Sequence, residues 1–312
     1  MNEPRTLIEA IKYFSDPDVC LEFVSRLRWP DGVTCPTCGS KDVRFISTRR
    51  IWECKGQHTH RQFSVKVGTI FEDSAIGLDK WLAAIWMIAN DKNGVSSYEV
   101  ARALGITQKS AWFMLHRIRL AMGFEPNKFS GTVEVDETFV GGKARNMHKD
   151  KREQLTGTGG SDKTAILGML QRDAKGKSQV QAKIVKNIRR NTLATEVRQQ
   201  ITPGSEVFTD ALKSYNDLRQ DYSHQTVDHT ESYVKGQAHT NGLENFWSLL
   251  KRAIKGTYVN VDSVHLTRYI DEETFRFNNR DFEDIDRFQF VVNGITGKRL
   301  TYNQLIAGTT QT

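Results

Sequence analysis

Apolar residues recur at helical spacing from Leu7 to Leu27 (Leu7, Ile8, Ile11 and Phe14, then Cys20, Leu21, Val24 and Leu27). This pattern predicts one or two short helices broken at Asp16-Pro17. A polar, β-prone stretch follows and ends in the alternating run R-Q-F-S-V-K-V-G-T-I-F, which reads as strand material. The segment L-D-K-W-L-A-A-I-W-M-I-A-N then predicts an amphipathic to fully buried helix. After it, S-S-Y-E-V-A-R-A-L-G-I-T-Q-K-S-A-W-F-M-L-H-R-I-R-L-A-M has the outline of two helices with a turn at Leu104-Gly105-Ile106. Ser96 with Glu99 three positions on forms a capping-box pattern, and Thr107 is placed to cap the second helix. Ala111, Leu115, Ile118 and Met122 make the apolar stripe of that helix, which leaves Lys109, His116, Arg117 and Arg119 on its other faces.

Beyond G-F-E-P-N-K the period changes to two. In G-T-V-E-V-D-E-T-F-V-G-G, Val133 and Val135 alternate with Glu134 and Asp136, so the two acids share a sheet face and Glu137 takes the opposite one. Residues 164–170 and 179–185 read as two more strands, T-L-A-T-E-V-R-Q-Q-I as a short helix, S-E-V-F-T-D as a fourth strand and H-Q-T-V-D-H as a fifth. In G-L-E-N-F-W-S-L-L-K-R, at about 100° per residue, Leu243, Phe246, Trp247, Leu250 and Ile254 fill one apolar sector. Glu244 and Lys251 lie two turns apart on one line at its edge, and Asn241 sits near the helix start as a cap or a substrate contact. A helix follows Val261, and no chemistry is read beyond Asp281.

The predicted fold class is α/β: a ribonuclease H-like mixed sheet flanked by helices, preceded by a zinc ribbon and a helix-turn-helix-like segment. The boundaries read as 1–30 for an N-terminal helical segment and 31–76 for the ribbon. Residues 77–124 form the helix-turn-helix-like, DNA-binding segment, 130–280 the ribonuclease H-like domain and 281–312 a tail.

Composition adds an acidic partner to this picture. The 312 residues carry 44 Lys and Arg against 37 Asp and Glu, a formal charge of +7. No apolar run is long enough to cross a membrane and the N-terminus lacks a signal-peptide layout, so a soluble cytoplasmic protein, nucleoid-associated when on DNA, is expected. Three of the four cysteines are clustered, which favours metal ligation over disulfides. Cys35 and Cys38 form a C-x-x-C knuckle, and fifteen residues separate Cys38 from Cys54. The second knuckle is C-x-x-x-H, with His58 the preferred fourth ligand and His60 the alternative. A site of this kind holds a structural Zn²⁺.

Asp136, Asp210 and Glu244 are the candidate ligands of a pair of Mg²⁺ (or Mn²⁺) ions, since hard cations take carboxylate oxygens from strands and a flanking helix. Lys251 is a candidate phosphate contact. The second helix of the helix-turn-helix-like pair, with Lys109, His116, Arg117 and Arg119, is a candidate for the DNA major groove. The basic loop after the first strand, which carries Lys143 and Arg145, is a candidate phosphate clamp.

These motifs resemble those of zinc-ribbon DDE transposases of bacterial insertion sequences, the ISXO-like group, from about Trp29 to Asn279. They are C-P-T-C-G, R-Q-F-S-V-K-V-G-T-I-F-E, T-Q-K-S-A-W-F-M-L-H-R-I-R, V-E-V-D-E-T-F-V-G-G-K, V-F-T-D-A-L-K-S-Y and H-T-N-G-L-E-N-F-W-S-L-L-K-R, in that order. The resemblance implies that Asp136, Asp210 and Glu244 are a metal-binding triad with Lys251 the basic residue beyond it. It also implies strand cleavage and transfer on the element's terminal inverted repeats and target DNA, with a homo-oligomer assembling on that DNA. A non-catalytic DNA-binding regulator and a structure-specific nuclease of the same fold are the rival expectations.

Overall fold

The computed structural model describes residues 3–123, 127–141, 163–173, 177–210, 213–227, 239–259 and 261–307. The chain divides into two compact units, residues 1–123 with 282–312 and residues 124–281.

In the first unit, α1 (Leu7–Tyr13) starts at a Thr6–Glu9 capping box, and α2 (Pro17–Arg28) starts at Asp16 with proline in its first position. Strands β1 (Val43–Ile46), β2 (Ile51–Cys54) and β3 (Gln62–Phe63) form an antiparallel sheet in that order. The alternating run that begins at Arg61 contributes only Gln62–Phe63 to it. From Ser64 the chain turns away from the sheet, and Val65, Ile70 and Phe71 are buried as loop anchors instead.

Helix α3 (Leu78–Asn90) buries Trp81, Leu82, Ala84, Ile85, Trp86, Ile88 and Ala89, which accounts for its apolar residues on nearly every side. The pair α4 (Ser97–Leu104) and α5 (Gln108–Met122) is joined through Gly105, whose φ of +61° and ψ of 47° close the first helix in the left-handed region that glycine tolerates. Ser96 and Glu99 form the reciprocal capping box, and the Thr107 hydroxyl accepts the Ser110 N–H at 3.2 Å.

The second unit is built on a five-stranded mixed sheet. It comprises β4 (Thr132–Val140), β5 (Thr164–Gln171), β6 (Gln179–Val185), β7 (Glu206–Asp210) and β8 (Ser223–Val227) in the order β6-β5-β4-β7-β8. The first three strands are antiparallel, while β7 and β8 run parallel to β4. Helix α6 (Arg190–Gln200) supplies the crossover into β7. Val133 and Val135 of β4 join Leu193, Ala194 and Val197 of α6 in one core. On the other face, Ile166 and Leu170 of β5 pack with Leu243, Phe246, Trp247 and Leu250 of α7 (Asn241–Arg252) and with Leu266 and Ile270 of α8 (Leu266–Asn278). The period-two alternation of β5 sorts Ala165, Leu167 and Met169 into the first core and Ile166 and Leu170 into the second.

The segment read as a tail belongs to the first unit. There α9 (Asp284–Asn293) buries Phe288, Val291 and Val292, with Phe288 against Phe14, Phe23 and Trp86, and a short α10 (Tyr302–Ala307) follows. Among the described residues no helix is long and apolar enough to cross a membrane.

Candidate metal and nucleic-acid sites

The ribbon places four ligand atoms, from Cys35, Cys38, Cys54 and His58, within 4.8 Å of one another. Tetrahedral zinc bonded at its usual lengths would set sulfur–sulfur edges of about 3.8 Å and sulfur–nitrogen edges of about 3.5 Å. The Cys38 and Cys54 sulfurs are 3.6 Å apart, and Cys35 Sγ lies 3.4 Å from His58 Nε2. A Cβ on Gly56 would stand 3.3 Å from Cys54 Sγ and 3.7 Å from Cys38 Sγ, so glycine lets the knuckle close, and its N–H donates to Cys54 Sγ. Burial opposes ionisation of the Cys35 thiol, but the N–H groups of Cys38 and Thr37 and the neighbouring thiols bring it down to about 6. These four residues fit a structural zinc ion, with His58 rather than the exposed His60 in the fourth position.

In the second unit, β4 and β7 pair in parallel through Val135↔Thr209, so one step further along the same register Asp136 and Asp210 stand side by side. Adjacent strands are about 4.8 Å apart. β7 ends at Asp210. Asp136 lies inside β4, because the antiparallel ladder to β5 continues from Asp136↔Gly168 to Val140↔Thr164. Glu244 lies in the first turn of α7, on the exposed side, and Lys251 is half-buried in its last turn.

Two contacts hold α7 to the strand that carries Asp136. Trp247, one helical turn beyond Glu244, donates its indole Nε1–H to Asp136 Oδ2 at 2.9 Å. The Leu243 N–H, an open donor of the first turn, is accepted by Glu134 Oε2 at 2.9 Å, and no side chain caps the helix at Thr240. Both approaches depend on glycine. A Cβ on Gly168 would meet the Trp247 ring at 2.5 Å, and one on Gly242 would meet Glu134 Oε2 at 2.9 Å. Glu134 is buried and also accepts from Arg172 Nε at 2.7 Å. Arg172 in turn donates to the His239 carbonyl and stacks over Phe208, 4.8 Å from the ring centre.

The Asp136 carboxyl lies in the field of the other two acids. Burial pushes the Asp136 carboxyl up to about 6; the Trp247 hydrogen bond works against that rise, and the charges of Asp210 and Glu244 add to it. Glu137, on the opposite face as its position predicts, is raised to about 7 by burial, with Asp210 and Asp136 adding and the Tyr215 hydroxyl, which donates to Oε2 at 2.5 Å, opposing. Among the described residues the three carboxylates do not draw together as tightly as the four ribbon ligands do.

The comparisons with known proteins meet this geometry. Residues 128–278 match the ISXO2-like transposase domain and residues 15–58 the transposase zinc-ribbon domain. A transposase-like protein of Haemophilus influenzae is 30% identical over 108 residues, 34% of this chain and 87% of that protein. The chain belongs to the ISXO2-like transposase family. A protein in transposable element ISH50 of Halobacterium salinarum is 26% identical over 274 residues, 83% of this chain and 90% of that one. The five-stranded sheet with its flanking helices is thus the ribonuclease H-like fold of a DDE transposase domain, and the Cys/His cluster is its zinc ribbon.

The remaining candidates separate. Lys109 is exposed, with its ammonium 4.7 Å over the Tyr302 ring. His116, Arg117 and Arg119, expected on a DNA-facing side, are buried. Arg117 donates to the carbonyls of Leu300 (3.0 Å), Ile70 (3.0 Å) and Glu72 (2.7 Å), and Lys298 donates to that of Leu120 at 3.1 Å. The C-terminal segment thus lies against α5, and the Arg117 guanidinium is spent inside the unit. Asn241 is exposed in the first turn of α7. Lys143 and Arg145 lie outside the described residues.

On sequence alone Glu134 is an acid that shares a sheet face with Asp136, and Trp247 a member of its helix's apolar sector. Arg172, Gly168 and Tyr215 carried no assignment. Gly168 did leave a signal, a glycine inside an apolar strand, which marks the close approach of another group.

Proposed function

We propose that this transposase-family chain binds the ends of a mobile DNA element and catalyses strand cleavage and strand transfer there. Asp136, Asp210 and Glu244 would hold the divalent ions. The observation that carries this reading is that the Asp136 carboxyl, beside Asp210 on neighbouring parallel strands, feels the charge of both Asp210 and Glu244. Three oxygen donors with mutually repelling charges in a partly buried place suit Mg²⁺ or Mn²⁺, which relieve that repulsion. Bound there, a pair of ions supplies activation of the attacking hydroxyl and stabilises charge on the leaving oxygen.

The protein's own residues do the rest. Asp136 and Asp210 are fixed by the strand register, and Glu244 is carried on a helix tied to the same sheet. Lys251 offers a cation to a phosphate near the reacting strand, and Asn241, at the opposite end of α7, a polar contact to DNA. Outside this unit, the ribbon and the helix pair with exposed Lys109 would recognise the terminal repeats. Two DNA ends must be processed together, so the active species is a homo-oligomer on DNA, acting in the cytoplasm where the nucleoid lies.

The test is an assay of strand transfer beside hydrolysis, with purified chain, Mg²⁺ and a duplex bearing the ends of the element that encodes it. Joined products support a transposase. Hydrolysis without joining would make the protein a nuclease, and end binding without either reaction would leave a regulator.

A further inference from the structure

The geometry points to Trp247 as a positioning residue: its indole N–H fixes the plane of the Asp136 carboxylate and so sets how that carboxylate meets a divalent cation. This rests on the reading of Asp136 as a metal ligand and goes beyond it.

Trp247 is buried, on the core side of α7, and would serve as an ordinary packing residue were its Nε1 not 2.9 Å from Asp136 Oδ2. Besides the indole, among the described residues only the Glu137 backbone N–H is seen to bond this carboxylate, and the terminal torsion of a carboxylate is broad. The indole N–H on one lone pair of Oδ2 adds the side-chain restraint on that rotation and leaves further lone pairs of the carboxylate for ligation. Hydrogen bonds to ligating carboxylates commonly serve this purpose. The arrangement is built in: Gly168, the cross-strand partner of Asp136, leaves the space that the indole ring fills, since a Cβ there would lie 2.5 Å from Trp247 Cζ2 and 2.6 Å from Cη2. Trp247 also stands one turn beyond Glu244 in α7, so a single side chain sets one acid's orientation and the distance of the helix bearing the other.

The experiment is Mn²⁺ binding to the zinc-loaded full chain, read from the EPR signal of the free ion, with melting temperature measured beside it. Trp247→Phe keeps the ring packing and removes the N–H, and should weaken Mn²⁺ by about tenfold or more, the usual effect of losing a hydrogen bond to a ligand. Gly168→Ala, which displaces the indole from the strand side, should weaken it likewise. Leu250→Ala opens the same core and should lower the melting temperature while leaving Mn²⁺ affinity of the folded protein unchanged. Wild-type affinity in both Trp247→Phe and Gly168→Ala, with binding lost in Asp136→Asn, would overturn the role of Trp247 and leave the metal site standing. Equal weakening in Leu250→Ala would also overturn it, as general loosening. Wild-type binding in Asp136→Asn would remove the metal site itself and the inference with it.

Discussion

Glu134 and Leu243 are 109 residues apart in the chain, yet the Glu134 carboxylate accepts the Leu243 backbone N–H at 2.9 Å and so ends the helix that carries Glu244. A helix start normally recruits its acceptor from the residue just before it. Here the acceptor comes from the sheet, two residues from Asp136 and on the same face. The consequence is geometric: the strand bearing one acid and the helix bearing another share a buried charged contact, reinforced by Arg172.

Glu134→Ala removes the acceptor of that N–H and leaves the largely buried Arg172 without its carboxylate. Breaking a buried pair from one side costs about 3–5 kcal/mol, and that loss is expected in urea unfolding. Glu134→Gln preserves an acceptor oxygen and should lose less. Equal stability of Glu134→Ala and wild type would show that α7 is held by its apolar face alone.

Arg117 makes a different kind of contact, with three backbone carbonyls. Arg117→Ala strands these acceptors, each worth about 1–3 kcal/mol when left buried and unpaired. The expected result is a strongly destabilised protein whose folded fraction binds DNA as wild type does, measured by thermal melting and by gel shift. A stable variant with weakened DNA binding would return Arg117 to the nucleic-acid surface.

The raised carboxyls give a pH dependence with a definite sign. Asp136 sits at about 6 and Glu137 at about 7. In the unfolded chain such groups titrate near about 4. Their protonated forms stabilise the fold fully below that value, and the contribution is lost as pH rises through 6 to 7. In magnesium-free buffer these groups should lower unfolding free energy between pH 5 and 8, and Asp136→Asn should flatten the slope. Adding Mg²⁺ at pH 8 should restore stability in the wild type more than in the variant.

Removal of zinc addresses the ribbon. The three strands are short, and Trp52 packs between Trp29 and Phe63 over little other core. A chelator should therefore unfold this module and shift Trp29 and Trp52 fluorescence to the red, while Cys54→Ser should leave less than one zinc per chain by metal analysis. Native emission after complete zinc removal would count against a structural ion.

Much of this was legible before the structure. Ser96 and Glu99 announced a helix start by residue type and spacing, and the Val133/Glu134/Val135/Asp136 alternation sorted two core residues from two acids. What was not legible depended on contacts between distant segments. Arg117 of α5 reads as solvent-facing until the C-terminal segment is known to lie against that helix, and a buried arginine is permitted only because carbonyls from Ile70, Glu72 and Leu300 converge on it. Likewise Trp247 fits the apolar sector of its helix, and no periodicity reveals that its one polar atom reaches Asp136.

The most direct measurement is Mg²⁺-dependent cleavage of an end-bearing duplex by the wild type and by Asp136→Asn, Asp210→Asn and Glu244→Gln, each checked for folding and end binding. Each single substitution is expected to lower the cleavage rate by about a thousandfold or more while end binding persists, as for residues that act as a unit. Cleavage at the wild-type rate by any one of the three folded variants would contradict a shared site.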